Sequence, residues 1–381
     1  MRILHTALRY PPASGGAEKY IQNIVQKTRN VEKDMDVRVL TSAMRTHGPI
    51  SYLNPDALLD DPPYVQRLFV SRTPLVSYPR LQALNYYIGH HKPDILHSYG
   101  YWYQPADTTA RYAKKHKIPF IFHPIYYTNS VRRKPIWKAY DALIGRKTFE
   151  QADAVAVISE YEKQLIVDAG YNVKRFVHIP PGVDMKLFSE KRENPFVSRN
   201  ISGTILLSIS RIAKSKGLQD TIRALPEIRK SIPGACLVII GEDFGYKKEL
   251  ETIAEKLGVT NAVHYFGKAT DDDVIAALQH ADVFIHASTY EAFGIVLAEA
   301  MAAGLPIVAR ESTAIPYVVP KNKAGLLFSN KKELVQNVIS IIKIPQLSQH
   351  LTDFSAELVR TTYSWEHSIK TLESLYEEFR K

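Results

Sequence analysis

The sequence predicts an α/β protein built from two doubly wound halves, each a parallel sheet with helices on both faces. Strand-like apolar runs alternate with helical stretches along the chain, the pattern that joins parallel strands through helical crossovers. At 381 residues, 45% apolar and 10% aromatic, the chain is globular and too long for one ordinary domain. The alternation stops at Pro180-Pro181-Gly182-Val183-Asp184 and the polar stretch 189–202, then starts again. This divides the chain into an N-terminal domain over residues 1–185, a C-terminal domain over 186–362 and a closing segment over 363–381.

In the first half, strand patterns fall at residues 2–8, 36–41, 95–98, 119–123, 154–159 and 176–179. Helical patterns lie between them at 17–27, 80–90, 107–115 and 136–149, and the proline-rich stretch 44–64 reads as a long loop. In the second half, strands at 205–210, 236–241, 263–266, 283–287 and 306–309 alternate with helices at 218–230, 248–257, 272–280 and 294–303. Asp271-Asp272-Asp273 stands at a helix start, where carboxylates cap free N–H groups, so it reads as a cap and not a metal cluster. Ile369, Leu372, Leu375, Tyr376 and Phe379 recur at helical spacing, so the C-terminus is an amphipathic helix in need of a partner surface.

Composition narrows the function classes. No apolar run approaches the ~18 residues of a membrane span. Met1-Arg2-Ile3-Leu4-His5 enters a strand pattern directly, so no signal peptide is expected. The single cysteine, Cys236, rules out an intrachain disulfide and fits a reducing cytoplasm. The 13 histidines show no ligand spacing, so no structural metal is expected. No Gly-x-Ser-x-Gly elbow is present, which disfavours a serine hydrolase. The net charge of +10 is uneven: residues 1–185 carry +9 and residues 186–381 carry +1. The first half is therefore expected to face something anionic, a membrane surface, an acidic substrate or nucleic acid. No RNA-binding aromatic pattern, zinc finger or basic helix-turn-helix supports the last of these.

Ligands of open parallel sheets bind beyond the C-terminal strand ends, which directs attention to residues just after strands. Gly15 and Gly16 follow the first strand and open the first helix, where backbone and free N–H groups can approach an anion. Their spacing fits neither a dinucleotide fingerprint nor a P-loop. His123 closes a strand and could donate to a sugar hydroxyl or phosphate. Arg211 follows the strand at 205–209, and Lys216-Gly217 lies five residues on, where the next helix begins. Two cations and a helix N-terminus outside one strand end make a diphosphate site that needs no metal. The most specific element is Glu291-Ala-Phe-Gly-Ile-Val-Leu-Ala-Glu299. Phe293, Gly294 and Ile295 start an apolar helix whose free amides can meet a donor. Glu299, within an apolar run, needs hydrogen-bond partners such as a ribose diol, and Glu291 is placed to accept from another hydroxyl pair.

These residues together resemble glycosyltransferase family 4, the retaining GT-B enzymes. The likeness runs through Gly15-Gly16, His123, Pro181-Gly182-Val183-Asp184, Arg211…Lys216-Gly217, the Glu291-x7-Glu299 element and Ala302-Ala303-Gly304-Leu305-Pro306. Gly325-Leu326-Leu327 and Tyr363-Ser364-Trp365-Glu366 continue it. One departure stands out: the family often has Gly-Gly-Ile-Pro-Glu where this chain has Thr313-Ala314-Ile315-Pro316-Tyr317.

The resemblance implies two Rossmann-like domains facing across a cleft, with the C-terminal helix crossing back to the first. It implies retaining transfer of a sugar from a nucleotide-diphosphate sugar to a glycan, lipid-linked or anionic acceptor, with no cofactor and no metal. Arg211, Lys216, His123 and Glu291 would be catalytic. Gly15, Gly16, Arg211, Lys216, Lys268, Glu291, Phe293, Gly294, Ile295 and Glu299 would bind the donor. The competing readings are a GT-B-type epimerase and a non-catalytic nucleotide-sugar or nucleic-acid binder. The basic and aromatic stretch Arg132-Arg133-Lys134-Pro-Ile-Trp137-Lys138, with Tyr126 and Tyr127 upstream, has the composition of a membrane interface. It gives the expectation of a cytoplasmic enzyme peripheral on the inner face of an anionic membrane.

Overall fold

The computed structural model describes residues 1–13, 15–31, 34–47, 50–73, 78–127 and 135–380. The chain divides into two compact units, Met1–Pro180 with Ser368–Lys381, and Pro181–His367. These boundaries lie a few residues from those expected at 185 and 362, for a local reason. Val183 N–H donates to the Tyr363 carbonyl at 2.7 Å, and a Cβ on Gly182 would stand 2.4 Å from the Trp365 nitrogen. The two connecting segments thus pair as a parallel bridge, Val183 opposite Ser364, and both stay with the second unit.

The first unit is a seven-stranded parallel sheet. Its strands are β1 (Arg2–Thr6), β2 (Asp36–Ser42), β3 (Val65–Leu68), β4 (Ile95–Tyr99), β5 (Phe120–His123), β6 (Ala154–Val157) and β7 (Phe176–His178). Their order is β7-β6-β5-β4-β1-β2-β3, so the chain reverses direction of travel between β1 and β4. That reversal opens a crevice beyond the strand ends. The edge strand β3 follows directly on the stretch 44–64 that the sequence presents as loop, in residues for which no element was expected. The loop itself holds a small antiparallel ribbon, Met44–His47 with Ile50–Tyr52. The helix expected at 136–149 is interrupted: Pro135–Tyr140 and Arg146–Gln151 are α-helical and Asp141–Gly145 between them is a π-turn.

The closing helix, Trp365–Glu378, ends in this first unit. Leu372, Leu375 and Tyr376 are buried there, Ser368 Oγ donates to the Pro180 carbonyl at 2.8 Å, and Arg175 pairs with Glu378. The apolar stripe read from the sequence is the face that covers the sheet.

The second unit repeats the plan with six parallel strands: β8 (Ile205–Ile209), β9 (Cys236–Ile240), β10 (Val263–Gly267), β11 (Val283–His286), β12 (Ile307–Arg310) and β13 (Leu326–Phe328). Their order is β10-β9-β8-β11-β12-β13, with the reversal between β8 and β11. The polar stretch 189–202 is not a free linker, because Phe196 is fully buried and Arg192 donates to Asp272 at 3.1 Å. Thr270 and Asp273 form a reciprocal capping box on the helix Asp271–His280, which accounts for the acidic triplet.

Candidate functional site

In the second unit the crevice between β8 and β11 gathers charged side chains. After β8, Lys214–Lys216 form one 3₁₀ turn ending at Gly217, whose φ is +69° and whose Cβ would lie 1.9 Å from the Ala287 carbonyl oxygen. Only glycine permits that approach, and it brings Lys216 to the end of β11. There Lys216 Nζ donates to Glu291 Oε1 at 2.6 Å, and His286 Nε2 meets the same oxygen at 3.1 Å. All three side chains are largely buried. Burial pushes the Glu291 carboxyl up, but the hydrogen bond and charge of His286, then those of Lys216, outweigh it and hold it down at about 2. Glu291 is therefore a fixed anion at neutral pH, an acceptor only.

The loop carrying Glu291 is laced to the next one. Glu291 N–H donates to Thr313 Oγ1 at 2.8 Å, Ala314 N–H to the Glu291 carbonyl at 3.3 Å, and Ser312 Oγ to the Ser288 carbonyl at 2.9 Å. Thr313 has a φ of +45°, the left-handed region that β-branched residues avoid. Gly294, at φ +83°, starts the helix Ile295–Ala302, and its neighbour Ile295 is exposed. Glu299 lies one turn further along that helix and is half-buried. Phe293 turns the other way, buried edge-on to Tyr363 with ring centres 5.3 Å apart. It anchors the helix and is not positioned as a stacking surface for a ligand. Arg211 is exposed beside Phe244, 5.1 Å from the ring centre, and Lys268 is exposed just past β10. Lys216, Glu291 and the Gly294-led helix are thus brought together, with His286 as a member the sequence reading missed. Its signal was its place at the end of β11, five residues before Glu291.

In the first unit the corresponding crevice is lined beyond β1, β4 and β5. A cavity of about 110 Å³ lies among residues that include Arg9, Glu18, Tyr99, Tyr103, Ile125 and Tyr127. Arg9 and Glu18 form a buried ion pair at 2.5 Å. A Cβ on Gly15 would stand 2.0 Å from the Glu18 carboxylate, so that glycine makes room for Glu18, while Gly16 begins the helix Gly16–Val31.

His123 requires a correction. It was expected to reach into the crevice, but it is 0% exposed and both ring nitrogens are engaged. The Ile179 carbonyl can only accept, so Tyr20 hydroxyl donates to it at 2.6 Å and accepts from His123 Nε2–H at 2.9 Å. His123 Nδ1 then accepts from His97 Nε2–H at 3.2 Å, and His97 Nδ1 from the Tyr376 hydroxyl at 2.7 Å. Burial holds His5 and His123 down at about 3, and burial with its two histidine neighbours holds His97 well below the ordinary range. The imidazoles are neutral links in a buried chain, and His123 has no nitrogen left for a substrate.

The basic stretch is also revised. Arg132, Arg133 and Lys134 lie outside the described residues. Trp137, half-buried, stacks on Trp102, with ring centres 3.5 Å apart, and packs against the core. Tyr126 is buried, whereas Tyr127 and Lys138 are exposed. Among the described residues no three His, Cys, Asp or Glu side chains are grouped to hold a metal ion, and no helix is long and apolar enough to cross a membrane.

Residues 14–187 match the model described as Glycosyltransferase Family 4, and residues 190–357 match Glycosyl transferases group 1. The chain is 30% identical over 284 residues to the alpha-monoglucosyldiacylglycerol synthase of Acholeplasma laidlawii, covering 69% of this chain and 70% of that one. The chain belongs to glycosyltransferase family 4. Another relative is the GDP-mannose-dependent alpha-(1-6)-phosphatidylinositol monomannoside mannosyltransferase of Mycobacterium tuberculosis, 30% identical over 200 residues. That alignment takes in 49% of this chain and 51% of the mycobacterial one. The sucrose-phosphate synthase of Thermosynechococcus elongatus superposes with a TM-score of 0.75 at 18% identity, covering 99% of this chain and 98% of that one. Anabaena HepE, solved with UDP and glucose, gives 0.76 at 18% identity, covering 99% and 100%. The glycosyltransferase therefore has the GT-B fold, and the epimerase and binding-protein readings are left without support.

Proposed function

We propose that this glycosyltransferase moves a sugar, with retention at the anomeric carbon and without a metal, from a nucleotide-diphosphate sugar to a lipid-linked acceptor at an anionic membrane surface on the cytoplasmic side. The observation that carries the reading is the Lys216–Glu291–His286 cluster beside the helix led by Gly294. Lys216 has two further ammonium protons for a departing diphosphate, and the helix N-terminus adds free N–H groups. Preorganised donors of this kind stabilise leaving-group charge without metal chemistry. Glu291, held ionised, accepts from sugar hydroxyls, and Glu299 is placed to accept from the ribose. Arg211 and Lys268, both exposed, are free to close on the donor's phosphates and base.

The acceptor is assigned to the crevice of the first unit, where the Arg9–Glu18 pair can bond vicinal hydroxyls. The lipid reading draws support from the names of the relatives, one a synthase of a glucosylated diacylglycerol and the other a mannosyltransferase for phosphatidylinositol monomannoside. It draws further support from the segment 135–145. There Ile136 is 44% and Leu143 66% exposed, seven residues apart, with Lys138 and Lys147 exposed nearby. Apolar side chains flanked by lysines suit a membrane interface, each lysine contributing about 1 kcal/mol near anionic lipid.

The test is a thermal-shift screen with UDP, GDP, ADP and their sugars, followed by transfer to diacylglycerol, its monoglucoside or phosphatidylinositol in phosphatidylglycerol vesicles with and without EDTA. An α-linked product from an α-linked donor, formed in EDTA, is expected. An inverted product, or loss of activity on chelation that Mg²⁺ restores, would overturn the mechanism. Activity on soluble glycans alone would overturn the lipid reading.

A further inference from the structure

Ile125 stands in the wall of the first unit's crevice with a φ of +47°, a conformation that costs a β-branched residue energy and persists only when its surroundings enforce it. The enforcement is visible on both sides. The preceding residue, Pro124, is fixed by its carbonyl, which accepts from Tyr101 N–H at 2.7 Å. The following residue, Tyr126, is fixed by its ring, buried against Tyr101 and Tyr171, and by its N–H, which donates to Glu162 Oε1 at 2.5 Å.

Glu162 is the unusual member. It lies in the helix Glu160–Asp168, is 2% exposed, and its other oxygen, Oε2, accepts from Ile158 N–H at 2.7 Å. A carboxylate placed so deeply is costly unless hydrogen-bonded, and here backbone N–H groups from two separate segments supply the bonds. Two such donors require two acceptor oxygens, which a carboxylate has and a carboxamide lacks. Glu162 thus clamps the end of β6 to the loop that follows β5. That loop, through Pro124, Ile125 and Tyr127, is one wall of the crevice.

We propose that Glu162 is a positioning residue for the acceptor: by holding Tyr126 N–H it sets the Ile125–Tyr127 wall, and so governs acceptor affinity without touching the acceptor. This rests on the functional reading above, which assigns the acceptor to that crevice. The variant Glu162→Gln keeps the shape, loses one acceptor oxygen and turns an N–H donor against an N–H donor.

The experiment measures steady-state transfer by the full chain to diacylglycerol, its monoglucoside or phosphatidylinositol in phosphatidylglycerol vesicles, varying acceptor at saturating donor. Nucleotide diphosphate affinity is measured in parallel. Glu162→Gln is expected to raise the acceptor KM about tenfold or more, with kcat and nucleotide affinity within about twofold of wild type, the signature of lost uniform binding. Adding Ile125→Gly, which removes the strain that the clamp opposes, is expected to restore part of that KM. If Glu162→Gln does not fold, Glu162→Asp takes its place, since it keeps two oxygens but falls short of spanning both N–H groups. An unchanged acceptor KM in a folded variant overturns the inference. So does an equal loss of nucleotide affinity, which would mark general damage. Wild type inactive on all these acceptors brings down the functional reading and this inference with it; wild type active and the variant indistinguishable from it brings down the inference alone.

Discussion

The two units share one strand order about the reversal point and differ in what their sheets enclose. In the second unit the strands are apolar within and the polar cluster stands at their ends, with Lys216 and Glu291 beyond β8 and β11 and His286 as the last residue of β11. In the first unit the buried ionisable groups His5, His97 and His123 lie in the strands themselves, with Glu18, Asp107 and Glu162 on the helices that cover them. The same scaffold therefore keeps its charged cluster at the rim in one case and its polar network inside in the other. Substitutions in the charged cluster of the second unit should act on rate, and those in the buried histidine network of the first on folding.

The largest effect tests the rim. Lys216→Ala and Glu291→Gln are each expected to lower kcat by about 10²–10³, the cost of one preorganised group. Thermal unfolding should shift by only a few degrees, because both side chains stand at strand ends. Turnover near wild type in either variant, measured at saturating donor, would remove the cluster from the chemistry.

The next effect tests the interior by pH. His5, His97 and His123 have folded values depressed below the ordinary 6.5 by burial. For a depressed histidine, stability is present above 6.5 and lost as pH falls, at about 1.4 kcal/mol per unit for each group. Glu162 has the opposite sign: burial raises it from 4.5 to about 7, so its contribution is present below 4.5 and is lost as pH rises through 7. Between pH 6.5 and 4.5 Glu162 offsets one histidine of the three, and Glu18 and Asp107, also raised by burial, act in the same direction as Glu162. Glu291, held at about 2, contributes fully throughout that window. Amide exchange at pH 7 and pH 5 should show β1, β4 and β5 losing protection while β8 and β11 keep theirs. Parallel losses in both sheets would erase the distinction.

A smaller effect probes one link of the network. Tyr376→Phe removes the hydroxyl that donates to His97 Nδ1 and leaves a buried acceptor unpaired, at about 1–3 kcal/mol. Since Tyr376 and Ser368 both tie the closing helix to the first unit, that helix should be where protection is lost first. Stability equal to wild type would show that the chain of hydrogen bonds is incidental.

The contrast also explains what the sequence disclosed. The second unit's site was legible because its residues are close in the chain: Glu291, Gly294 and Glu299 lie within one strand-to-helix connection, and Lys216 follows its own strand. His286 escaped because a lone histidine has no spacing partner, and its bond to Glu291 depends on the loop folding back. In the first unit the partners are remote in sequence, as His97 and Tyr376 are, 279 residues apart. No local pattern announces such a pair, so His123 looked like a strand-end donor when it was an interior link. Trp137 misled for a similar reason: composition marks an interfacial segment, but only packing decides that Trp137 turns in and Ile136 and Leu143 turn out. The strand β3 escaped because Gln66 and Arg67 break its apolar run, so composition did not mark it.

The smallest effect lies at Thr313, where the chain departs from the glycine that its family often carries. A threonine at φ +45° bears a left-handed strain of about 1–2 kcal/mol, which glycine would not. Its hydroxyl accepts from Glu291 N–H, a bond worth about 0.5–1.5 kcal/mol. The two terms nearly cancel, so Thr313→Gly should leave stability within about 1 kcal/mol of wild type, because it relieves the one and loses the other. Thr313→Ala loses the bond and keeps most of the strain, so it should be the least stable of the series by about 1 kcal/mol. Thr313→Ser, which keeps the acceptor with less crowding at Cβ, should match wild type or exceed it. Chemical denaturation of the four proteins gives the ranking, and their turnover shows whether the anchor matters to Glu291. If alanine is as stable as serine, the hydroxyl is not holding the Glu291 loop. If glycine is as unstable as alanine, the backbone there is not strained. With the anchor removed in both the glycine and alanine variants, kcat should fall several-fold in each, whichever way stability moves. The Glu291 carboxylate at the rim of the second unit would then depend on one neighbouring hydroxyl for its placement, whereas the loop after β5 in the first unit is held by the buried carboxylate of Glu162.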